Sequence, residues 1–202
     1  MPKIYSDEER ERIRRRLHDE GNSLLMTKGV RKTTVDELVA RVGIPKGTFY
    51  LFYPSKELLL FEIIQEYHEE MEGHMITQCK ALGRGLNLDS LTGIIVEGIL
   101  SVENSCLRNL MIPTEMELLI RKLPQTVVEA HLKHDDNLLG DMLRLLPISA
   151  DKVDEMAYSG AFRAVFFACM YKNEIGAEHF RESITLIVRG LLGQLLGDKQ
   201  GS

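Results

Sequence analysis

The chain has 202 residues, is 44% hydrophobic and carries a formal net charge of −5, so it can bury a sizeable core in one or two domains and is not a protein that coats DNA non-specifically. The charge is uneven: residues 1–56 hold 12 Lys or Arg against 8 Asp or Glu, and the remaining residues hold 13 against 22. A basic N-terminal segment ahead of an acidic body suits a molecule that meets phosphate at one end. Three cysteines (Cys79, Cys106 and Cys169) are an odd number without metal-like spacing, which points to buried thiols in a reducing cytoplasm. The N-terminus is charged from Asp7 to Arg16 and lacks an apolar signal region. No apolar run approaches the ~20 residues of a membrane helix.

The pattern predicts helices throughout, with no strand-period run. Helix 1 is expected from Asp7 to Lys28, with Ser6 as N-cap and Glu9 closing a capping box. Gly21 inside it suits close packing on helix 2. Thr33 and Thr34 follow, and Thr34 with Glu37 forms a second capping box. Val35, Leu38, Val39 and Val42 fall at i, i+3, i+4 and i+7, one buried stripe. Gly43 ends that helix, because glycine accepts the left-handed conformation of a sharp C-terminal turn. Pro45 opens the next helix.

Two short helices joined by a tight turn have the layout of a helix-turn-helix, whose second helix enters the major groove of DNA. Lys46 and Thr48 lie in its first turn, where backbone N–H groups favour phosphate. Gly47 lets the backbone approach a duplex closely. Tyr50 and Tyr53 are expected to share a face and reach the sugar-phosphate backbone, with Phe49 and Phe52 toward the core. Lys56, in the first turn of helix 4, opposes the helix dipole and hints at an anionic partner. On spacing alone, two short helices of any bundle read the same way.

The stretch Gly29, Thr33-Thr34-Val35-Asp36-Glu37-Leu38, Gly43, Lys46-Gly47-Thr48-Phe49-Tyr50 and Ser55-Lys56-Glu57-Leu58 resembles the DNA-binding domain of the TetR (tetracycline-repressor-like) family of bacterial regulators. The resemblance covers about the first quarter of the chain. Two departures stand out. Pro45 replaces the usual small capping residue, so helix 3 lacks a side-chain cap. Phe52 and Tyr53 stand where the family more often has tyrosine or histidine and then phenylalanine, so Phe52 makes no polar contact with phosphate. The resemblance implies about nine helices: an N-terminal DNA-binding domain, here residues 1–56, and a helical ligand-binding and dimerisation domain, residues 57–202.

Helix 4 is expected from Ser55 to Lys80, with Leu60, Ile64, Tyr67, Met71 and Met75 in one stripe. Gly83-Arg84-Gly85 is a loop without the features of a phosphate cradle. Helix 5 is expected from Leu88 to Met111, helix 6 from Pro113 to Leu123, helix 7 from Pro124 to Leu146, helix 8 from Asp151 to Lys172 and helix 9 from Ala177 to Leu196. Gly160, Ala161, Ala164 and Ala168 on helix 8 allow close helix approach. Phe180, Ile184, Ile187, Val188, Leu191, Leu192 and Leu195 make a wide apolar face on helix 9. The same residues would serve as ordinary core. The family implies a two-fold dimer through these two helices, and two half-sites on DNA favour the same arrangement.

Methionine is deformable and polarizable, so Met71, Met75, Met111, Met116, Met156 and Met170 suit an adaptable pocket. With Tyr67, Phe162, Phe166 and Phe167 they outline a candidate site between helices 4, 5, 7 and 8, where the family implies a small-molecule inducer. Glu97, Glu103, Glu115 and Glu117 would counter a cationic ligand if they faced inward, but surface is their default. His131, His134 and Asp135 lack the further ligands a metal needs. No catalytic triad motif is present, and neither enzyme activity nor a cofactor is expected. The reading is an all-helical, homodimeric cytoplasmic repressor of operator DNA, released by a hydrophobic or amphipathic effector. The alternative is a helical binding module or enzyme without DNA function.

Overall fold

The structure, a computed structural model, describes residues 5–144 and 154–197, and of residues 135–144 the backbone only. Its helices are α1 (Asp7–Lys32), α2 (Val35–Val42), α3 (Lys46–Phe49), α4 (Lys56–Leu82), α5 (Leu88–Ser101), α6 (Pro113–Lys122), α7 (Gln125–Arg144), α8 (Glu155–Ala168) and α9 (Phe180–Gly197). Short 3₁₀ turns and a one-turn helix at Lys172–Gly176 link them, and no strand occurs among the described residues. The fold is all-helical with an N-terminal helix-turn-helix. The expected junction between helix 7, ending at Leu146, and helix 8, starting at Asp151, lies outside the described residues.

Two expected helices are shorter than the pattern suggested. Helix 5 stops at Ser101 and continues as 3₁₀ pieces at Val102–Asn104 and Cys106–Met111. Ser105 is extended, and its hydroxyl accepts from the Leu107 N–H at 3.0 Å, so a local side-chain bond competes with the helix ladder. Helix 8 ends at Ala168, before a 3₁₀ turn at Cys169–Tyr171.

The described chain forms two compact units. One gathers residues up to His68 with Glu103–Leu123. In it, Ile13, Leu17, Leu24 and Leu25 form the buried face of α1, at i, i+4, i+11 and i+12. Burying each leucine stabilises the fold by ~1.5–3 kcal/mol relative to exposure. Ser6 and Glu9 cap α1 reciprocally, at 3.2 and 2.9 Å. Gly21 lies close to α4 rather than α2: a Cβ there would stand 2.7 Å from Ile63 Cδ1.

Gly29 has φ 74° and ψ −175°, a kink inside α1. That conformation interrupts the helical ladder, and other groups satisfy its ends. The Thr33 hydroxyl donates to the Gly29 carbonyl at 2.7 Å. The Asn109 amide donates to the Leu25 and Met26 carbonyls at 2.8 and 2.7 Å. The Arg31 N–H donates to Glu115 at 2.9 Å. Residues 103–123 are thereby stitched onto α1.

The second unit gathers Glu69–Val102 with the described part of the chain after Leu123. Here α5 packs along α9, burying Leu91, Ile95 and Ile99 on one side and Ile184, Val188 and Leu192 on the other. Arg181–Glu97 and Arg189–Asp89 ion pairs cross between these helices. Gly98 admits the Met75 thioether, whose sulfur would lie 2.6 Å from an added Cβ. Buried Glu72 meets His134 Nε2 at 2.9 Å.

Candidate nucleic-acid interface

The turn between α2 and α3 is built as its residues require. Gly43 adopts φ 74° and ψ 40°, and its N–H and that of Ile44 both donate to the Val39 carbonyl, at 2.9 and 3.1 Å. Pro45 precedes α3 without a side-chain cap, as expected. Thr34 accepts from the Glu37 N–H at 3.2 Å. Only half of the expected capping box forms, because the Glu37 carboxylate is engaged by Lys28 at 2.7 Å and Arg41 at 3.1 Å. The Lys28 bond leads in holding Glu37 below the usual carboxylate range, with Arg41 adding to it.

Only four residues of α3 are helical, and the chain tightens afterwards: the Leu51 N–H bonds the Thr48 carbonyl and the Phe52 N–H the Phe49 carbonyl. Lys46, Gly47, Tyr50 and Leu51 face solvent, whereas Thr48, Phe49 and Tyr53 face inward. Open space surrounds Gly47, where an added Cβ would meet nothing within 4 Å. The outward side is therefore a lysine, a bare backbone, a tyrosine hydroxyl and an apolar leucine. Those groups suit a duplex: charge for phosphate, and a surface thin enough for close approach.

Several expected contact residues have other work. Tyr50 and Tyr53 do not share a face. Tyr53 is 4% exposed, and its hydroxyl donates to Glu62 at 2.9 Å. Burial, then this carboxylate, raises its phenol above the ordinary value. Thr48 is buried against Tyr5, oxygen to oxygen 3.1 Å. Thr33 is buried on the Gly29 carbonyl. Lys56 donates to the Val30 carbonyl at 2.6 Å and pairs with Glu57 at 3.3 Å, so it ties α4 to the end of α1. Phe52 lies beneath the Arg10 guanidinium, 5.1 Å from its ring centre.

A groove of about 340 Å³ opens beside Lys46, lined also by Arg31, Thr34, Asp36, Tyr50 and Lys56. Sequence reasoning passed over Asp36, whose carboxylate lies 2.8 Å from Lys46 Nζ. It also passed over Arg31, near Glu115, and the exposed Leu51. The Asp36 contact crosses ten residues and a turn, which no helical spacing reveals.

The expected pocket and interface residues fall as follows. Tyr67 and Met111 belong to the N-terminal unit, and Met71, Met75, Phe162, Phe166 and Met170 to the other, all half-buried. On α9, Ile184, Val188 and Leu195 are buried within the chain itself, and Leu191 is half-buried. On α8, Ala164 is exposed, while Gly160, Ala161 and Ala168 are half-buried. The exposed large apolar side chains of α8 and α9 are Met156, Phe167, Leu186 and Ile187, of which Ile187 was expected on the apolar face of helix 9. Glu97 and Glu117 face solvent, and Glu103 and Glu115 are half-buried. Among the described residues no group of three metal-ligating side chains occurs and no helix is long and apolar enough to cross a membrane. The side chain of Asp135 lies outside the described residues.

Residues 17–63 match the family model described as bacterial regulatory proteins, tetR family. That segment contains most of α1, both helices of the helix-turn-helix and the start of α4. The N-terminal part of the chain is thus similar to the DNA-binding region of the TetR family. Over 47 residues, 23% of this chain and 16% of its relative, it is 38% identical to the HTH-type transcriptional regulator YuxN of Bacillus subtilis (strain 168). Over 60 residues, 30% of each chain, it is 27% identical to the HTH-type transcriptional repressor DhaR of Mycobacterium sp. (strain GP1). The chain thus spans well under half the length of these curated relatives, and the family model is matched in the segment that holds the helix-turn-helix. The fold likeness is wider. SCO4454, a TetR-family transcriptional regulator from Streptomyces coelicolor, superposes with a TM-score of 0.53 over 92% of this chain and 97% of its own, at 16% identity.

Proposed function

We propose that this chain is a ligand-responsive transcriptional repressor that binds a palindromic operator as a homodimer. The observation that carries this reading is the outward side of α3, where Lys46 and Tyr50 line an open groove and Gly47 is exposed. Lys46 and Tyr50 contact phosphates, and Gly47 lets the backbone approach the bases. Thr34, at the N-terminus of α2, lies on the same groove.

Dimerisation runs through α8 and α9. Leu186 is 72% and Met156 73% exposed, and a partner helix covering them would remove that apolar surface from water. A two-fold dimer would present two α3 helices about one turn of DNA apart, ~34 Å, to matching half-sites. The effector is a small hydrophobic or amphipathic molecule held by the body around Met71, Met75, Phe162, Phe166 and Met170. It releases DNA by preferring a different spacing of the two reading helices, and only its differential affinity for the two states shifts the population.

The test is selection from a randomised duplex pool. The expected product is a palindrome bound by the wild-type chain. Lys46→Ala should weaken binding and reduce the salt slope by about one phosphate contact. Recovery of no enriched sequence, or full affinity in both Lys46→Ala and Tyr50→Phe, would remove the reading.

A further inference from the structure

We propose that Asp36 determines how well the interface distinguishes its operator from other DNA, by occupying Lys46 until a correctly placed phosphate exchanges for it. This rests on the DNA-binding reading above and adds a residue to it. The Lys46 ammonium lies 2.8 Å from Asp36 Oδ1, and the two side chains are 51% and 74% exposed. A pair so open to water contributes little to folding and is cheap to break. Its place is what gives it consequence. Both residues line the groove beside α3, together with Tyr50.

The other cations of that groove lie near carboxylates that are themselves largely buried. Arg31 lies 3.9 Å from Glu115, and Lys56 lies 3.3 Å from Glu57 and donates to the Val30 carbonyl. Lys56 is held between backbone and carboxylate at the base of α4. Lys46 is therefore the groove cation whose carboxylate is most open to replacement. Asp36 also raises the Lys46 pKa through their hydrogen bond, above a value at which the lysine is already charged in the neutral range.

An ordinary lysine reaching phosphate displaces dissolved counterions, and their release drives non-specific binding. Here the counterion is tethered. When a phosphate takes Lys46, Asp36 remains within a few ångströms of it and repels it. A loosely placed duplex, whose phosphates are not held in register, gains little from Lys46. On the operator, contacts along α3 fix the backbone, and a phosphate held at hydrogen-bond distance wins the exchange. Asp36 thus weakens all DNA binding, but weakens the wrong complexes more.

The experiment compares the wild-type chain, Asp36→Asn, Lys46→Ala and the double variant on the selected duplex and on a scrambled duplex of equal length, across a salt series. Asp36→Asn should tighten scrambled-duplex binding ~3–10-fold and steepen its salt slope, while operator affinity changes less than about twofold. The ratio of the two affinities should fall. Asp36→Glu should restore it, which separates the carboxylate from any local disturbance of α2. In the Lys46→Ala background the effect of Asp36→Asn should largely vanish. An unchanged ratio, or an equal effect with and without Lys46, overturns the proposal. Failure of the wild-type chain to bind any selected duplex overturns the DNA reading instead.

Discussion

Glu115 accepts the backbone N–H of Arg31 at 2.9 Å, across 84 residues of sequence. It does so two residues after the Gly29 kink, where an N–H has lost its helical acceptor. The Glu115 side chain is only 13% exposed. Removing it leaves that donor without its partner. Glu115→Ala is expected to destabilise the N-terminal unit by ~1–3 kcal/mol. Glu115→Gln keeps an acceptor oxygen and should lose less. Denaturant titration of both variants checks this; equal midpoints for wild type and Glu115→Ala would mean the contact contributes nothing.

Gly29 and Gly47 should respond oppositely to alanine. At Gly29 the positive φ is strained for any L side chain, and a Cβ would stand 2.9 Å from Glu115 Oε2. Gly29→Ala is expected to lose ~1–3 kcal/mol of stability. Gly47→Ala meets open space and should melt like the wild type, yet its methyl thickens the surface proposed to face DNA. Melting curves and duplex binding on the two variants should therefore cross over.

Tyr53 supplies a pH signature. Its phenol is raised above the ordinary value of 10.0, first by burial and then by its bond to Glu62. Below pH ~10 the ring is neutral in both folded and unfolded chains, and its contribution to stability is complete. Above that, the unfolded chain ionises first, so stability falls as pH rises. Tyr53→Phe is expected to cost ~0.5–1.5 kcal/mol at neutral pH and to flatten the alkaline fall. DNA affinity should be untouched, because the hydroxyl faces inward.

The interface proposed for α8 and α9 can be probed with neighbouring residues. Ile187 is 48% exposed and Ile184 is 1% exposed. Ile187→Glu should give a folded monomer that no longer binds the palindrome, since a charge on the contact face is left unpaired. Ile184→Glu should unfold the body. Sedimentation and circular dichroism distinguish the two outcomes. A wild-type monomer at micromolar concentration would contradict the dimer.

Much of the fold was legible because capping and periodicity act locally. Ser6 with Glu9, Thr34, Gly43 and the Val35 to Val42 stripe each declare a helix end or face within a few residues. What escaped were relationships made by tertiary contact. Tyr53 looked like a partner of Tyr50 by spacing, but the tight turns after Phe49 bring it onto Glu62. Helix 5 looked continuous because the run to Met111 is apolar in places, but Ser105 breaks it with its own hydroxyl. The wide apolar face of α9 gave no sign of which side is used within the chain. Packing on α5 takes Ile184, Val188 and Leu192, leaving Leu186 and Ile187 outside.

The stitching of residues 103–123 onto α1 has a consequence for biosynthesis. A ribosome making this chain completes α1, α2 and α3 early, but Asn109, Leu110, Glu115 and Leu119 reach them only later. Until then Leu25 and Met26 lack their Asn109 donor, and Arg31 lacks its acceptor. The nascent N-terminal segment must wait from Phe49 to Asn109 and Glu115, through all of α5, before its unit can close. Such a sequence-distant closure slows folding relative to a self-contained helix trio. Halting translation between residues 70 and 100 should leave a segment that proteases cut readily, and extension past Leu123 should protect it.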